Sequence, residues 1–341
     1  MPPLVMDSVK DKLPFWRSSW FRVVLGTIVS VIFLLLALKD VPLADVAQAL
    51  ARANYVWVLL AVVVSVAQSW LRATRWILLY YPLQKGLHQT QMFGITLIAQ
   101  MLNIVVPWRV GELARIYLAG EIEKRSKTQT LATLGVEKIF DTEMLVLILL
   151  TMPFFVTLPN WLEQPREGLI WLMLALFGAA FALLLFRAPL LRLLSRVRLP
   201  HGRSLDSYAQ IALLGLDLFK RWDVHLVLQA ESVVIWSSGA LIIFSIVLAL
   251  NLSLPPASAF LLLAVLQVGG LVPSSPGKVG VFQLLCILTL ALFSVDKSIA
   301  LTYGILLYLV AYGPPVILGV LSLWWGGVNV RRVTSSDAAV E

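Results

Sequence analysis

Long apolar runs separated by short polar clusters dominate the chain. Runs at 20–38, 55–80, 130–158, 169–187, 224–250 and 298–326 each approach the roughly 20 residues that cross ~30 Å of hydrocarbon at about 1.5 Å per residue. They predict six spanning helices. Two further runs, 89–120 and 256–294, are broken in the middle by Pro, Gly and a cation. Each predicts a helical hairpin that enters and leaves on one side, with a single crossing as the alternative. Segment 42–53 places Leu43, Val46, Ala47 and Leu50 at helical spacing and predicts an amphipathic helix on the outer interface. Segment 188–222 combines Arg residues with Leu190, Leu191, Leu193 and Leu194. It reads either as a basic amphipathic stretch on the anionic cytoplasmic leaflet or as a solvated basic loop.

Composition turns this pattern into a class. The 341 residues are 59% hydrophobic and 13% charged, against about 45–50% and 25% in soluble domains, and the mean hydropathy is +0.86. The expectation is an all-α polytopic integral membrane protein. One Cys (Cys286) and the scattered His88, His201 and His225 leave no disulfide framework or metal cage to build, so no cofactor and no metal are expected. A net charge of +8 could suit nucleic acid, but it has to be located first. With both hairpins returning to their side of entry, 21 of the 27 Lys and Arg fall on the cytoplasmic side and four, Lys39, Arg52, Arg166 and Lys297, fall outside. Lys138 and Lys278 lie within apolar stretches. Nucleic acid is not an expected partner, and both termini are expected in the cytoplasm: a segment 1–19, a single membrane domain 20–326, and a tail 327–341. No small-residue cleavage site directly follows the first run, so it reads as an uncleaved span.

The two interruptions share a pattern. NIVVPWRVGELARIYL from Asn103 and GLVPSSPGKVGVFQLL from Gly270 align Pro107, Arg109, Val110 and Gly111 with Pro276, Lys278, Val279 and Gly280 at a constant offset of 169. The same offset carries the start of the second span at 55 onto the start of the fifth at 224. Two units, about 55–160 and 224–326, therefore repeat span, hairpin and span in opposite orientations. Inverted repeats with broken helices recur in transporters, because non-helical backbone survives at membrane depth only inside protein or beside water.

Candidate residues follow from the cost of charge in hydrocarbon. Lys278, flanked by Gly277, is isolated in a long uncharged stretch and costs about 2.5–3.5 kcal/mol unless it meets water or a partner. It reads as a substrate or counter-ion contact, or as a lysine snorkelling outward. Arg109, Glu112 and Arg115 are spaced three apart after Pro107, on one helical face, so Glu112 can pair with either Arg. The surplus cation suits phosphate. Glu137 and Asp141, four apart, and Glu231 at comparable depth read as structural ion-pair partners or as proton-coupling groups. Arg72 and Arg75, beside Trp70 and Trp76, read as interfacial anchors, with a headgroup contact as the alternative.

PWRVGELAR (Pro107 to Arg115), GVEKIFD (Gly135 to Asp141) and PSSPGKVGVF (Pro273 to Phe282) are similar to the signatures of the flippase-like transmembrane domain of lysylphosphatidylglycerol synthases and its stand-alone relatives. The resemblance extends over roughly 20–326. It implies a bacterial or archaeal inner-membrane protein that moves a phosphate-bearing lipid between leaflets: an aminoacyl-phospholipid, a polyprenyl-linked glycolipid or a hopanoid-related lipid. The chain ends soon after its last span, leaving no room for the soluble aminoacyl-transferase domain, so synthase activity is not expected. Two positions depart from the family pattern: Lys278 stands where a second Gly is common, and Gln283 where an acid is common.

Three functions are carried forward. The first is a lipid transporter binding an anionic headgroup at Arg109, Arg115 and Lys278, with Pro107, Gly111, Glu112, Pro276, Gly277 and Gly280 shaping the turns. The second is a non-transporting subunit supporting a glycosyltransferase or other lipid-modifying enzyme. The third is an intramembrane headgroup enzyme, which has least support because no GxSxG elbow or metal-spaced His is present. No GxxxxGK[ST] loop for ATP exists. A second copy of the chain is a further expected partner.

Overall fold

The computed structural model describes residues 19–106, 110–156, 167–168, 170–175, 178, 221–270 and 275–325, with no strand among them. The expected terminal segments, most of segment 188–222, and Pro107 and Arg109 lie outside the described residues. So does most of the fourth span.

In chain order the helices are α1 (Ser19–Leu38), α2 (Leu43–Arg52), α3 (Tyr55–Leu78), α4 (Gln89–Val105), α5 (Gly111–Ile122), α6 (Lys127–Thr151), α7 (Trp222–Ala249), α8 (Ala257–Gly269), α9 (Val281–Ala291) and α10 (Lys297–Trp325). Three of them, α3, α7 and α10, are long and apolar enough to cross a membrane. The third expected span, 130–158, is shorter than its apolar run: α6 ends at Thr151 and a single 3₁₀ turn, Met152–Phe154, follows at Pro153. The apolar runs 89–120 and 256–294 each fold as two short helices packed on one another, α4 on α5 and α8 on α9. At 1.5 Å per residue the longest of these four, α4 with 17 residues, reaches only about 25 Å.

The side-chain pattern is that of helices in lipid. On α3, Val56, Leu59 and Val63 are exposed while Ala61, Ser65, Ser69 and Ala73 are buried. Small and hydroxyl residues occupy helix contacts because apolar surface has no reason to hide from hydrocarbon, whereas close backbone approach does gain dispersion energy. The buried hydroxyls bond back to their own helix: Ser69, Thr96, Ser232, Ser245, Thr289 and Thr302 each donate to the carbonyl four residues earlier. That back-bonding gives each of these six hydroxyls an acceptor within its own helix.

The helices pack in a recurring set of contacts. Helices α3 and α7 lie side by side and antiparallel: the Asn54 N–H donates to the Ala249 carbonyl at 2.7 Å, and Gln68 Nε2 donates to the Ile235 carbonyl at 2.8 Å further along. Other contacts come in pairs. As α3 meets α4, α7 meets α8; as α5 meets α6, α9 meets α10; as α6 meets α7 and α8, α10 meets α3 and α4. Helices α1 and α2 are additions, packing on α9 and α10. The Lys297 ammonium donates to the Leu36 carbonyl at 3.1 Å at the end of α1, where cations are favoured.

Candidate functional site

Two cavities lie between the helices, one beside each broken pair. The first, about 290 Å³, is lined by α3, α4, α5, α6 and α10 and includes Gln100, Asn103, Glu112, Arg115, Glu137, Lys138 and Asp141. The second, about 250 Å³, is lined by α3, α7, α8, α9 and α10 and includes Gln267, Gly269, Gly270, Lys278, Phe282 and Leu285. They share a wall: Ser65, Gln68 and Arg72 of α3 with Ala311 and Tyr312 of α10. Pro315, four residues after Ala311 in α10, has no N–H to give that residue's carbonyl. A polar backbone group is thereby released at the wall.

An ion network closes one side of the first cavity. Arg75, fully buried, reaches Asp141 at 2.7 Å and Glu137 at 3.6 Å, and donates to Ser232 Oγ at 3.1 Å. The Glu137 carboxylate forms an ion pair with Arg115, Oε2 to Nη1, at 2.8 Å. The Arg115 guanidinium lies 3.9 Å from the Trp76 ring centre, a cation–π contact, and Trp76 donates to Thr133 at 3.0 Å. Helices α3, α5, α6 and α7 are thus tied by groups that cannot separate cheaply in a dry interior.

Several sequence expectations change here. Glu112 does not pair with Arg115 on its own helix; it meets Lys138 of α6 at 3.1 Å, because α5 packs on α6 and turns Arg115 toward Glu137. Arg75 and Trp76 are not interfacial anchors: both are fully buried. Arg72 is not an anchor either, since it lines both cavities, with Asp141 the acid acting on it most strongly. The positive-inside count placed Arg72, Arg75 and Arg115 in cytoplasmic flanks, whereas all three sit within helices. Glu231 is half-buried and feels the Arg75 charge without joining its ion pairs. Arg72 was legible in principle: Ser65, Gln68 and Arg72 form a polar stripe at helical spacing on an otherwise apolar helix.

The second turn has its own geometry. Gly277, Lys278 and Gly280 have φ of 75°, 55° and 85°, the left-handed region that glycine enters freely and lysine does not. Lys278 adopts it nonetheless. Gln283 Oε1 accepts the Gly280 N–H at 2.7 Å, so the amide supplies the acceptor oxygen that an acid would. Ser30 of α1 accepts the Ser275 N–H at 2.9 Å, and Gly280 lies so close to the Ser30 and Leu34 backbone that no Cβ fits. In the first turn, Asn103 Oδ1 accepts the Gly111 N–H at 2.9 Å.

Long apolar helices with exposed apolar faces, and charged cavities between pairs of short helices, define a membrane protein built around an internal polar region. The sequence profile of the lysylphosphatidylglycerol synthase transmembrane region matches residues 23–319. The chain belongs to that family. No curated protein matches it.

Proposed function

We propose that the protein moves a phosphate-bearing lipid between leaflets, with the headgroup passing through the two cavities while the acyl or polyprenyl tails stay in hydrocarbon. One observation carries this reading: the cavities adjoin, and Arg72 lines both. A headgroup cation that serves two compartments lets the anion keep a partner as it passes, which avoids the cost of an unpaired charge in an apolar medium. In this reading α4–α5 and α8–α9 are re-entrant hairpins entered from opposite faces, and the two halves form an inverted repeat whose rocking exposes each cavity in turn. The antiparallel α3 and α7, the paired contacts and the short hairpin helices support that arrangement. In this reading both termini face the cytoplasm of a bacterial or archaeal inner membrane.

The experiment is leaflet exchange of headgroup-labelled lipids in proteoliposomes, with wild type beside Arg72→Gln. Exchange in wild type and its loss in the variant, with unchanged insertion, is the expected result. Absence of exchange for every lipid, with and without a proton gradient or potential, overturns transport in favour of an accessory-subunit role.

A further inference from the structure

The transport reading, on which this inference rests, leaves the headgroup unnamed, and the first cavity narrows it. Among the described residues its lining carries three cations, Arg72, Arg115 and Lys138, and three acids, Glu112, Glu137 and Asp141. The charges also answer one another in place: Arg115 pairs with Glu137, Lys138 pairs with Glu112, and Asp141 acts on Arg72. A net charge brought among them would compete with one of these partnerships, which is costly away from water. The wall favours an uncharged guest.

Two carboxamides decide what that guest must offer. Gln100 and Asn103 of α4 both line the cavity and, three residues apart, are neighbours on one helical face. Asn103 Oδ1 accepts the Gly111 N–H at 2.9 Å. Only an acceptor can meet a backbone N–H, so the Asn103 NH2 is left over as a donor. Gln100 Oε1 meets Ser69 Oγ at 3.1 Å, which leaves the other end of that amide over as well. Next to Gly111, Glu112 reaches Lys138 through Oε1 at 3.1 Å, while its Oε2 is buried with no hydrogen-bond partner. Donors and an acceptor thus flank one turn. A phosphate oxygen only accepts and is repelled by Glu112, whereas an ammonium only donates and leaves the Asn103 NH2 unmet. A hydroxyl does both, and two hydroxyls on adjacent carbons can serve two neighbouring amides.

We propose that the first cavity binds a pair of adjacent hydroxyls on an uncharged part of the lipid headgroup, a glycerol or a sugar, through the Gln100 and Asn103 carboxamides and the Glu112 carboxylate. The test is thermal unfolding of the full chain in a detergent without hydroxyl groups, titrated with short-chain phosphatidylglycerol and with short-chain phosphatidylpropanol, which has the same charge and lacks both hydroxyls. Phosphatidylglycerol should stabilise at about tenfold lower concentration, the size of two modest hydrogen bonds. A short-chain glucosyl diacylglycerol presents adjacent hydroxyls on a sugar instead, and whichever of it and phosphatidylglycerol acts at lower concentration names the source of the diol. Free glycerol and glucose should have no effect over the same range.

Two variants tie the preference to the site. Gln100→Met leaves Ser69 its own Ser65 carbonyl as acceptor, and Asn103→Asp keeps an acceptor for the Gly111 N–H while removing the NH2. Each should bring phosphatidylglycerol and phosphatidylpropanol to within about threefold of one another. The ratio is read, so a general loss of anion binding does not count. Equal action of these two lipids on the wild type overturns the diol site, and their exchange in proteoliposomes would leave the transport reading standing. A preference intact in both variants overturns its assignment to these residues. Free glycerol or glucose matching the lipids overturns the lipid assignment. A diol preference lost in the variants, without exchange of any lipid, upholds the site and overturns transport.

Discussion

The two broken-helix pairs carry the same short motif and use it differently. Around α4–α5 the buried cations are tied: Arg115 to Glu137, Lys138 to Glu112, and Arg75 to both Glu137 and Asp141. Around α8–α9 the cation Lys278 sits in a turn with three positive φ values and lines a cavity with no acid among its described lining residues. In the first half, charge holds helices together. In the second, charge sits beside space. A shared motif therefore does not imply shared surroundings: the helices around α5 bring Glu137 to Arg115, while no acid is among the described residues lining the cavity beside Lys278.

The largest test of that contrast is Glu137→Ala. It leaves Arg75 with Asp141 alone and Arg115 with no acid among the described residues, in an interior where removing one partner of a buried pair costs about 3–5 kcal/mol. The expected outcome is a large fall in the unfolding midpoint in detergent. The matched change in the second half, Lys278→Met, should move that midpoint little. Equal losses from both would mean that Lys278 is as structural as Glu137, and the contrast would fail.

The paired glycines come next. A Cβ at Gly111 meets the Ala99 carbonyl and Asn103, and a Cβ at Gly280 meets the Ser30 carbonyl and the Leu34 backbone. Forced overpacking costs about 1–3 kcal/mol, the expected loss for Gly111→Ala. Gly280→Ala adds the strain of a positive φ and should lose about 2–4 kcal/mol. Comparing the two unfolding midpoints checks the order. A greater loss at Gly111 would show that the first turn, not the second, is the more constrained.

How far the sequence revealed this arrangement depends on which signal each feature leaves. Among the described residues, apolar length and punctuation by Pro and Gly placed most helix ends to within a few residues, the exception being the third span, expected to reach 158 and ending at Thr151. The offset of 169 matched the second span to the fifth without saying that the two would pack together, as α3 and α7 do. Partners were harder to read. The expectation that Glu112 pairs on its own helix took account of local spacing alone, whereas Lys138 arrives from α6. Arg72 and Arg75 were assigned to an interface because they sit near aromatic residues at the end of an apolar run, a pattern that buried and interfacial arginines share. The stripe of Ser65, Gln68 and Arg72 was the distinguishing signal, since an interfacial anchor needs no polar face extending two turns toward the membrane centre.

The smallest expected effect is the most discriminating, because it should move stability and binding in opposite directions. Lys278 has a φ of 55°, where a side chain other than glycine costs about 1–2 kcal/mol. Lys278→Gly removes that strain, and part of the gain is offset by the extra freedom glycine has in the unfolded chain. A net stabilisation of about 0.5–1 kcal/mol is expected, read as a small rise in the ligand-free unfolding midpoint. The same substitution removes one of the two cations lining the second cavity, so stabilisation by an anionic lipid such as short-chain phosphatidylglycerol should shrink. A lysine kept only to finish a turn would be replaced by glycine without loss of binding. A lysine held in a strained conformation for its charge would not, and the two midpoints, with and without the anionic lipid, tell these apart in one experiment.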